Sequence, residues 1–160
     1  MLGSEYYNGK RVLVTGGTGF VGPHLVEELV RRGASTCVLT RRQRQDQKDV
    51  KWLKGVELRT ADLTNPNQVA VAMEGMDIVF NLAADVASIG FQVDHPGSLY
   101  YENSQINLNA LEAARLANVD RYACISSTCV YRRNATIPTP ETEGFSDDPE
   151  ETSIGYGWAK

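Results

Sequence analysis

Short runs of apolar and β-branched residues alternate with helical patterns along the chain, from residue 11 to residue 127. This alternation is typical of an α/β protein with a parallel sheet. The predicted strands are 11–15, 36–40, 56–61, 78–82 and 122–127. The predicted helices are 19–32, a short one after Asn65-Pro66 that ends near 74, and a long one over 98–117. Residues 41–54 and 132–153 are predicted loops, and a last helical turn begins near Tyr156.

A glycine-rich turn joins the first predicted strand to the first predicted helix. Gly16, Gly19 and Gly22 have the spacing Gly-x-x-Gly-x-x-Gly, with Phe20 and Val21 between the last two. A tight turn needs positive φ, a pyrophosphate needs a backbone with no Cβ in its way, and the helix N-terminus offers N–H groups to an anion. An ordinary βα turn is the alternative. The strand before and the helix after favour a dinucleotide-binding turn in a Rossmann-type, doubly wound parallel sheet.

Two further strand ends extend the predicted cofactor site. Asp62 and Leu63 follow the third strand, where a carboxylate can accept a hydrogen bond from an adenine amino group. A turn or helix-capping aspartate is the alternative. Ala83 and Ala84 follow the fourth strand, where small side chains let a ribose approach the backbone. Ligands of open parallel sheets bind at these carboxyl ends of the strands.

The end of the second strand bears on the choice between NAD and NADP. A carboxylate there would bind the ribose 2′-OH, whereas arginine suits a 2′-phosphate. Here Thr40 is followed by Arg41 and Arg42, and no acid occurs before Asp46. A solvated basic loop is the alternative. The residues favour NADP over NAD.

Two stretches near the end of the sequence predict catalytic chemistry. Tyr156 and Lys160 are spaced i and i+4, so they share one helix face. A lysine ammonium beside a tyrosine would lower the phenol's pKa from about 10 and favour the phenolate. If the last strand stays extended through residue 129, Ser127 and Cys129 project into one cleft, and Cys124 is a core thiol. Plain packing is the alternative for Cys129.

Composition and charge exclude several classes of protein. The 160 residues carry 16 basic and 20 acidic side chains, a net charge of −4 that argues against nucleic-acid binding. No apolar run approaches the roughly 20 residues that a membrane helix needs. Three widely spaced cysteines predict reduced thiols and a cytoplasmic setting. No metal site is predicted, because His24 and His95 are not paired with other ligands.

Together these motifs resemble the extended short-chain dehydrogenase/reductase superfamily, in its NAD-dependent epimerase/dehydratase family. Residues 83–91, 103–115 and 127–131 are similar to GDP-mannose 3,5-epimerases and, less closely, to GDP-L-fucose synthases. The resemblance implies one NAD(P)-binding domain over residues 1–160, interrupted after the Tyr-x-x-x-Lys motif and before a substrate domain. The piece alone is therefore expected to be inactive. The motifs that carry the resemblance are the glycine turn, Asp62, residues 81–84, Ser127, Tyr156 and Lys160.

The resemblance implies an enzyme that oxidises a nucleotide sugar, in this case a GDP-sugar, to a 4-keto intermediate, epimerises it and reduces it again. Tyr156 would take the proton of the 4-OH while Ser127 hydrogen-bonds the oxygen. Cys129 would act as acid and base at C3 or C5, whose hydrogens the ketone acidifies. Two positions depart from the pattern: Arg41 replaces the acid of the NAD-using epimerase, and Arg132 replaces a proline.

Other functions of the same residues stay open. A nucleotide-sugar 4,6-dehydratase, 4-epimerase or 4-keto reductase would use the same Ser-Tyr-Lys set, and a non-catalytic cofactor-sensing or scaffold protein would use the fold alone. In the resembled family the long helix pairs with its twin, so a homodimer is expected. The apolar side of that helix is formed by Leu99, Ile106, Ala110, Ala113 and Ala117.

Overall fold

The computed structural model describes residues 5–41 and 55–160. Within them, five strands form one all-parallel sheet in the order β3-β2-β1-β4-β5. The order reverses at β1, which lies between β2 and β4, so the sheet is doubly wound and the predicted fold class is confirmed. The strands are β1 (Arg11–Thr15), β2 (Ser35–Thr40), β3 (Glu57–Thr60), β4 (Ile78–Asn81) and β5 (Arg121–Cys124).

The helices follow the prediction with three differences. The first begins at Gly22 instead of residue 19, because residues 16–21 stay in the turn. A helix over Ile89–Asp94, whose first turn is capped by Ser88, is not predicted by the pattern. Short 3₁₀ helices occupy Glu141–Phe145 and Glu151–Ser153 in the predicted loop. The helices are α1 (Gly22–Arg31), α2 (Pro66–Met73), α3 (Ile89–Asp94), α4 (Pro96–Leu116) and α5 (Ile154–Ala159). The predicted loop at 41–54 lies outside the described residues, apart from Arg41.

The chain divides into two compact units. The first contains the described residues up to Ala83 and Leu108–Cys124, and it holds the sheet. Its core is formed by β1 and the neighbouring elements, and it includes a cluster of buried side chains from Val12, Val14, Val26, Leu29, Val38 and Ile78. A central parallel strand is covered on both faces, and this is why β1 reads as a continuous apolar run. The second unit contains Ala84–Asn107 and Ile125–Lys160.

The apolar side of α4 that the sequence predicts belongs to the interior. Leu99, Ala110 and Ala113 are buried, and Ile106 and Ala117 are half-buried. The expectation that this side is an exposed dimer surface is therefore wrong. The large apolar side chains that α4 exposes are those of Tyr100, Tyr101, Leu108, Leu111 and Leu116.

Although α4 has 21 residues, no helix in the part of the chain that the structure describes is both long and apolar enough to cross a membrane.

Candidate functional site

In the first unit, a buried hydrogen-bond pair joins the carboxyl ends of β1 and β4. The Thr15 hydroxyl donates to Asn81 Oδ1 at 2.5 Å and accepts from the Ala83 N–H at 3.1 Å. Both side chains are completely buried. These strands flank the point where the strand order reverses, which is where doubly wound sheets bind ligands. This pair cannot be predicted from local sequence, because it depends on the register between two strands that are distant along the chain.

A Cβ would meet different surroundings at each of the three glycines of the turn. Gly16 takes φ +62°, and a Cβ there would lie 2.9 Å from the Ala83 nitrogen. A Cβ on Gly22 would collide with the backbone of Gly17. At Gly19 the nearest atom to a Cβ is the Gly16 oxygen, at 3.2 Å. The fold therefore requires glycine at 16 and 22. Beside Gly19, no atom beyond its chain neighbours and the Gly16 oxygen lies within 4 Å of a Cβ.

The first turn of α1 is suited to an anion. Its N-cap residue Val21 makes no side-chain capping bond, Pro23 occupies the first turn, and the first turn holds no acidic residue. The N–H groups of an uncapped helix start can bind a phosphate. Phe20, at 91% exposure, and Val21 are both exposed beside it. This cradle, with the open backbone at Gly19, fits the pyrophosphate of a dinucleotide.

Asp62 lies in a tight turn after β3. Its Oδ1 accepts from the N–H and the hydroxyl of Thr64 at 2.9 and 2.8 Å, and its own N–H donates to Gln68 at 2.9 Å. The bonds from Thr64 lower the pKa of Asp62, and the charge of Arg41 lowers it further. The carboxylate is therefore ionised and held in one direction. This is the turn role that the sequence left as the alternative to a contact with adenine.

Arg41 is exposed at a bend that follows β2. Its charge acts on Asp62 at the end of the neighbouring strand. Arg42 and Asp46, which also bear on the predicted choice between NAD and NADP, lie outside the described residues. Leu63 is buried, and Ala83 and Ala84 are half-buried.

In the second unit, two buried glycines let α5 pack closely through its backbone. A Cβ on Gly155 would collide with the Pro96 carbonyl. A Cβ on Gly157 would lie 2.5 Å from the Cys129 oxygen and 2.6 Å from the Cβ of Pro149. Tyr156 lies between these glycines and is half-buried. The Gly-Tyr-Gly sequence was the available signal, and the sequence analysis did not use it.

The helical turn expected for the Tyr-x-x-x-Lys motif is present, and it begins two residues before Tyr156. Because α5 runs from Ile154 to Ala159 with Lys160 as its C-cap, Tyr156 and Lys160 share one helix face. Two polar side chains bond the backbone of residues 159 and 160. Asn107 Nδ2 donates to the Ala159 oxygen at 2.7 Å, and the Ser126 hydroxyl donates to the Lys160 oxygen at 3.3 Å.

Ser127 and Cys129 are joined by a turn rather than by an extended strand. β5 ends at Cys124, and a 3₁₀ helix occupies Thr128–Val130. The Ser127 hydroxyl oxygen accepts from the Cys129 N–H at 3.2 Å. A side-chain bond to the backbone two residues on competes with the sheet pattern, and this bends the chain. The expectation of an extended path through 129 is therefore wrong. Both side chains are half-buried.

The burial of Cys124 differs from what the alternation along the strand predicts. Cys124, expected in the core, is exposed, because it is the last residue of β5 at the edge of the described sheet. Its sulfur lies 3.8 Å from Asn81 Nδ2. Cys37 is the buried cysteine, and burial raises the pKa of its thiol to about 12. Cys37 is therefore an inert structural thiol at neutral pH.

The histidines pack against aromatic rings. The ring centroids of His24 and Phe20 are 6.4 Å apart, and those of His95 and Phe91 are 4.4 Å apart. Over residues 5–41 and 55–160, no group of three or more His, Cys, Asp or Glu side chains could hold a metal ion.

Known proteins are similar to this chain over most of its length. GDP-mannose 3,5-epimerase 1 of Oryza sativa subsp. japonica is 30% identical over 151 residues, which cover 94% of this chain and 39% of the relative. The dTDP-4-dehydro-6-deoxy-D-allose reductase of a Streptomyces species is 28% identical over 98% of this chain and 50% of the relative. The solved structure of an epimerase from Methanothermobacter thermautotrophicus has a TM-score of 0.77 and 28% identity, and it matches 98% of this chain and 47% of that one.

The chain thus spans half or less of the length of these relatives. A family model described as the NAD dependent epimerase/dehydratase family matches residues 12–160. The match includes the glycine turn, the turn at Ser127 and the Tyr156–Lys160 helix. The resemblance inferred from the motifs is confirmed: this chain belongs to the NAD dependent epimerase/dehydratase family.

Proposed function

We propose that the full-length protein is an NAD(P)-dependent nucleotide-sugar epimerase that works through a transient 4-keto sugar, with a GDP-sugar as substrate. The turn from Ser127 to Cys129 carries the proposal. It ties a hydroxyl and a thiol into one short segment whose backbone packs against α5 at Gly157. The likeness to a GDP-mannose 3,5-epimerase supports the choice of sugar nucleotide.

Each side chain has a role that its surroundings allow. Tyr156, with Lys160 on the same helix face, takes the proton of the sugar 4-OH as a phenolate stabilised by the ammonium. Ser127 accepts from the Cys129 N–H, so its own proton can be donated to the same sugar oxygen. Cys129 removes a proton from C3 or C5, and reprotonation from the other face inverts the centre. The bound nicotinamide supplies the acceptor and donor of hydride at C4.

Titrating NADPH and NADH, without sugar, into the parent protein and two arginine variants tests the choice of dinucleotide. If Arg41 binds a 2′-phosphate, NADPH should bind about tenfold more tightly than NADH, and added salt should narrow the gap. Arg41→Ala should remove the preference, whereas Arg115→Ala, an exposed arginine paired with Glu112, should not. Fluorescence titrations of both cofactors measure this. Equal affinities in the parent protein, or tighter NADH binding, would reject the role of Arg41.

A 4-keto sugar reductase is the second candidate. Arg41 favours it, because a net reductase consumes NADPH, and one relative is a reductase of a dTDP-4-keto sugar. Such an enzyme would use Ser127, Tyr156 and Lys160 in the same way. Cys129 would then have only a packing role.

Sugar-dependent change in the cofactor's redox state tests the proposed function. The full-length protein with bound oxidised cofactor is expected to show a transient rise in the absorbance of reduced cofactor when GDP-mannose is added, because hydride leaves C4 and later returns, and to exchange solvent deuterium into C3 or C5. Tyr156→Phe should lower the rate of both by about 100-fold or more, because the phenolate base is lost. No change in cofactor absorbance with any GDP-sugar would instead favour a non-catalytic protein.

We also propose that the full-length protein is a homodimer that pairs through α4. Leu108 and Leu111 support this, because they are 65% and 51% exposed on a helix whose other apolar side is buried. Exposed large apolar groups on one helix are typical of surfaces that symmetric oligomers cover.

A further inference from the structure

Two asparagines of α4, two positions apart, each donate a hydrogen bond to the backbone of a segment that carries predicted site residues. Asn107 bonds the Ala159 oxygen, and Asn109 bonds the Leu63 oxygen. We propose that they are positioning residues with separate tasks: Asn107 sets the turn of α5 that carries Tyr156 and Lys160, and Asn109 sets the loop that carries Asp62. The kinetic part of this inference rests on the proposed function.

The contact of Asn107 acts beside the catalytic lysine. Its Nδ2 lies 2.7 Å from the oxygen of Ala159, the residue before Lys160. A carbonyl oxygen has two lone pairs, so it can accept from Asn107 as well as from a helical N–H. α5 contains Gly155 and Gly157 between Ile154 and Ala159, and glycine is unfavourable within a helix. A tertiary bond at Ala159 therefore fixes how the helix presents Lys160 to Tyr156.

The contact of Asn109 acts beside the predicted adenine site. Its Nδ2 lies 2.9 Å from the oxygen of Leu63, a buried residue that follows Asp62. The turn of Asp62 is closed by Thr64, which donates to Oδ1 through both its N–H and its hydroxyl. Asn109 fixes the peptide inside this turn. It therefore sets the direction of the Asp62 carboxylate without contacting a ligand itself.

Asparagine is an unfavourable residue in the middle of a helix, because its amide competes for local backbone bonds. α4 nevertheless carries three. The third, Asn103, is 1% exposed and bonds both backbone groups of Asp85, which follows Ala84. Each amide thus offsets its helix cost with a bond to a segment next to a predicted site residue. This shared pattern sets the amides apart from ordinary solvent-facing asparagines.

Asn107→Leu and Asn109→Leu in the full-length protein form a matched pair, because each removes the same donor from the same helix. Asn107→Leu is expected to lower the rate of sugar-dependent cofactor reduction about tenfold at saturating cofactor, the effect of one lost hydrogen bond. In the pH profile of that rate, the fall at low pH should move to higher pH, because Lys160 no longer stabilises the Tyr156 phenolate. NADPH affinity should change less than about twofold.

Asn109→Leu is expected to give the opposite pattern. NADPH should bind about tenfold more weakly in a fluorescence titration, while the rate at saturating cofactor and its pH profile stay those of the parent. Thermal unfolding of both variants is measured alongside. If both variants lower only the unfolding temperature, or if both change the same kinetic quantity, the proposal is overturned. Asn107→Gln, which keeps the donor, should restore part of the rate.

Two readouts need no substrate and so separate this inference from the proposed function. The NADPH titration tests Asn109 directly. For Asn107, the titration of Tyr156 is followed by NMR of protein labelled with ¹³Cζ-tyrosine, with Tyr156→Phe identifying the resonance. Asn107→Leu should raise the titration midpoint by about half a unit or more, and Asn109→Leu should not. An unchanged midpoint in Asn107→Leu overturns its role, whether or not any GDP-sugar is turned over.

Discussion

Gly19→Val is expected to weaken the binding of NADPH and NADH by about 100-fold or more while the protein stays folded. The valine side chain would occupy the space that the turn leaves for a pyrophosphate, beside the uncapped N-terminus of α1. Loss of two charge-assisted hydrogen bonds, at about 1.5–3 kcal/mol each, is sufficient for this change. Because the nearest protein atom to a Cβ at this position is 3.2 Å away, the fold can accept the side chain with a small shift. Cofactor fluorescence and thermal unfolding measure the two effects.

Variants of two other glycines distinguish an effect on cofactor binding from an effect on folding. Gly22→Ala should lower the unfolding temperature, because its Cβ runs into the backbone of Gly17. Gly90→Ala should change neither quantity, because a Cβ there has no atom within 4 Å. If Gly19→Val binds cofactor with the parent affinity, the pyrophosphate does not lie over this turn. If it unfolds instead, Gly19 serves the fold as Gly22 does.

The strands illustrate which parts of the fold the sequence can predict. β1 has the predicted bounds, because a central strand buried on both faces is a continuous apolar run with a glycine directly after it. β5 ends three residues earlier than predicted. Beyond this end, the Ser127 hydroxyl accepts from the Cys129 N–H and closes a turn. The apolar pattern gives the start of every described strand to within one residue, but it does not reveal a turn that a side-chain bond to the backbone forms.

The site residues show the same division. The glycine turn can be predicted because positive φ and close backbone approach are requirements within one short segment. The contacts of Asn107 and Asn109 cannot, because they join residues 52 and 46 positions apart along the chain. The alternation of residues along the strand also cannot predict that Cys124 is exposed. Strand alternation separates two faces, but it does not tell which face of an edge strand is covered.

Cys129→Ser in the full-length protein is expected to separate epimerisation from oxidation. A carbon beside a ketone is acidic, but its proton still needs a base near neutral pH, and a thiolate is accessible there whereas a serine alkoxide is not. Exchange of solvent deuterium into C3 or C5 of the GDP-sugar should therefore fall by about 100-fold or more. Hydride transfer from C4 of the sugar to the cofactor should persist, because Tyr156 and Ser127 keep their side chains. NMR of the recovered sugar and cofactor absorbance measure the two steps in one sample.

The other two cysteines provide the controls that the structure requires. Cys124→Ser should leave exchange at the parent value, because Cys124 lies at the end of β5 and outside the turn that carries Ser127 and Cys129. Cys37→Ser should lower stability without lowering exchange per folded molecule, because it puts a hydroxyl into the core beside β1. A loss of exchange confined to Cys129→Ser would identify its thiol as the base at the sugar carbon. If Cys129→Ser exchanges deuterium at the parent rate, the thiol is not the base, and the chemistry left to Ser127, Tyr156 and Lys160 is that of a 4-epimerase or a 4-keto reductase.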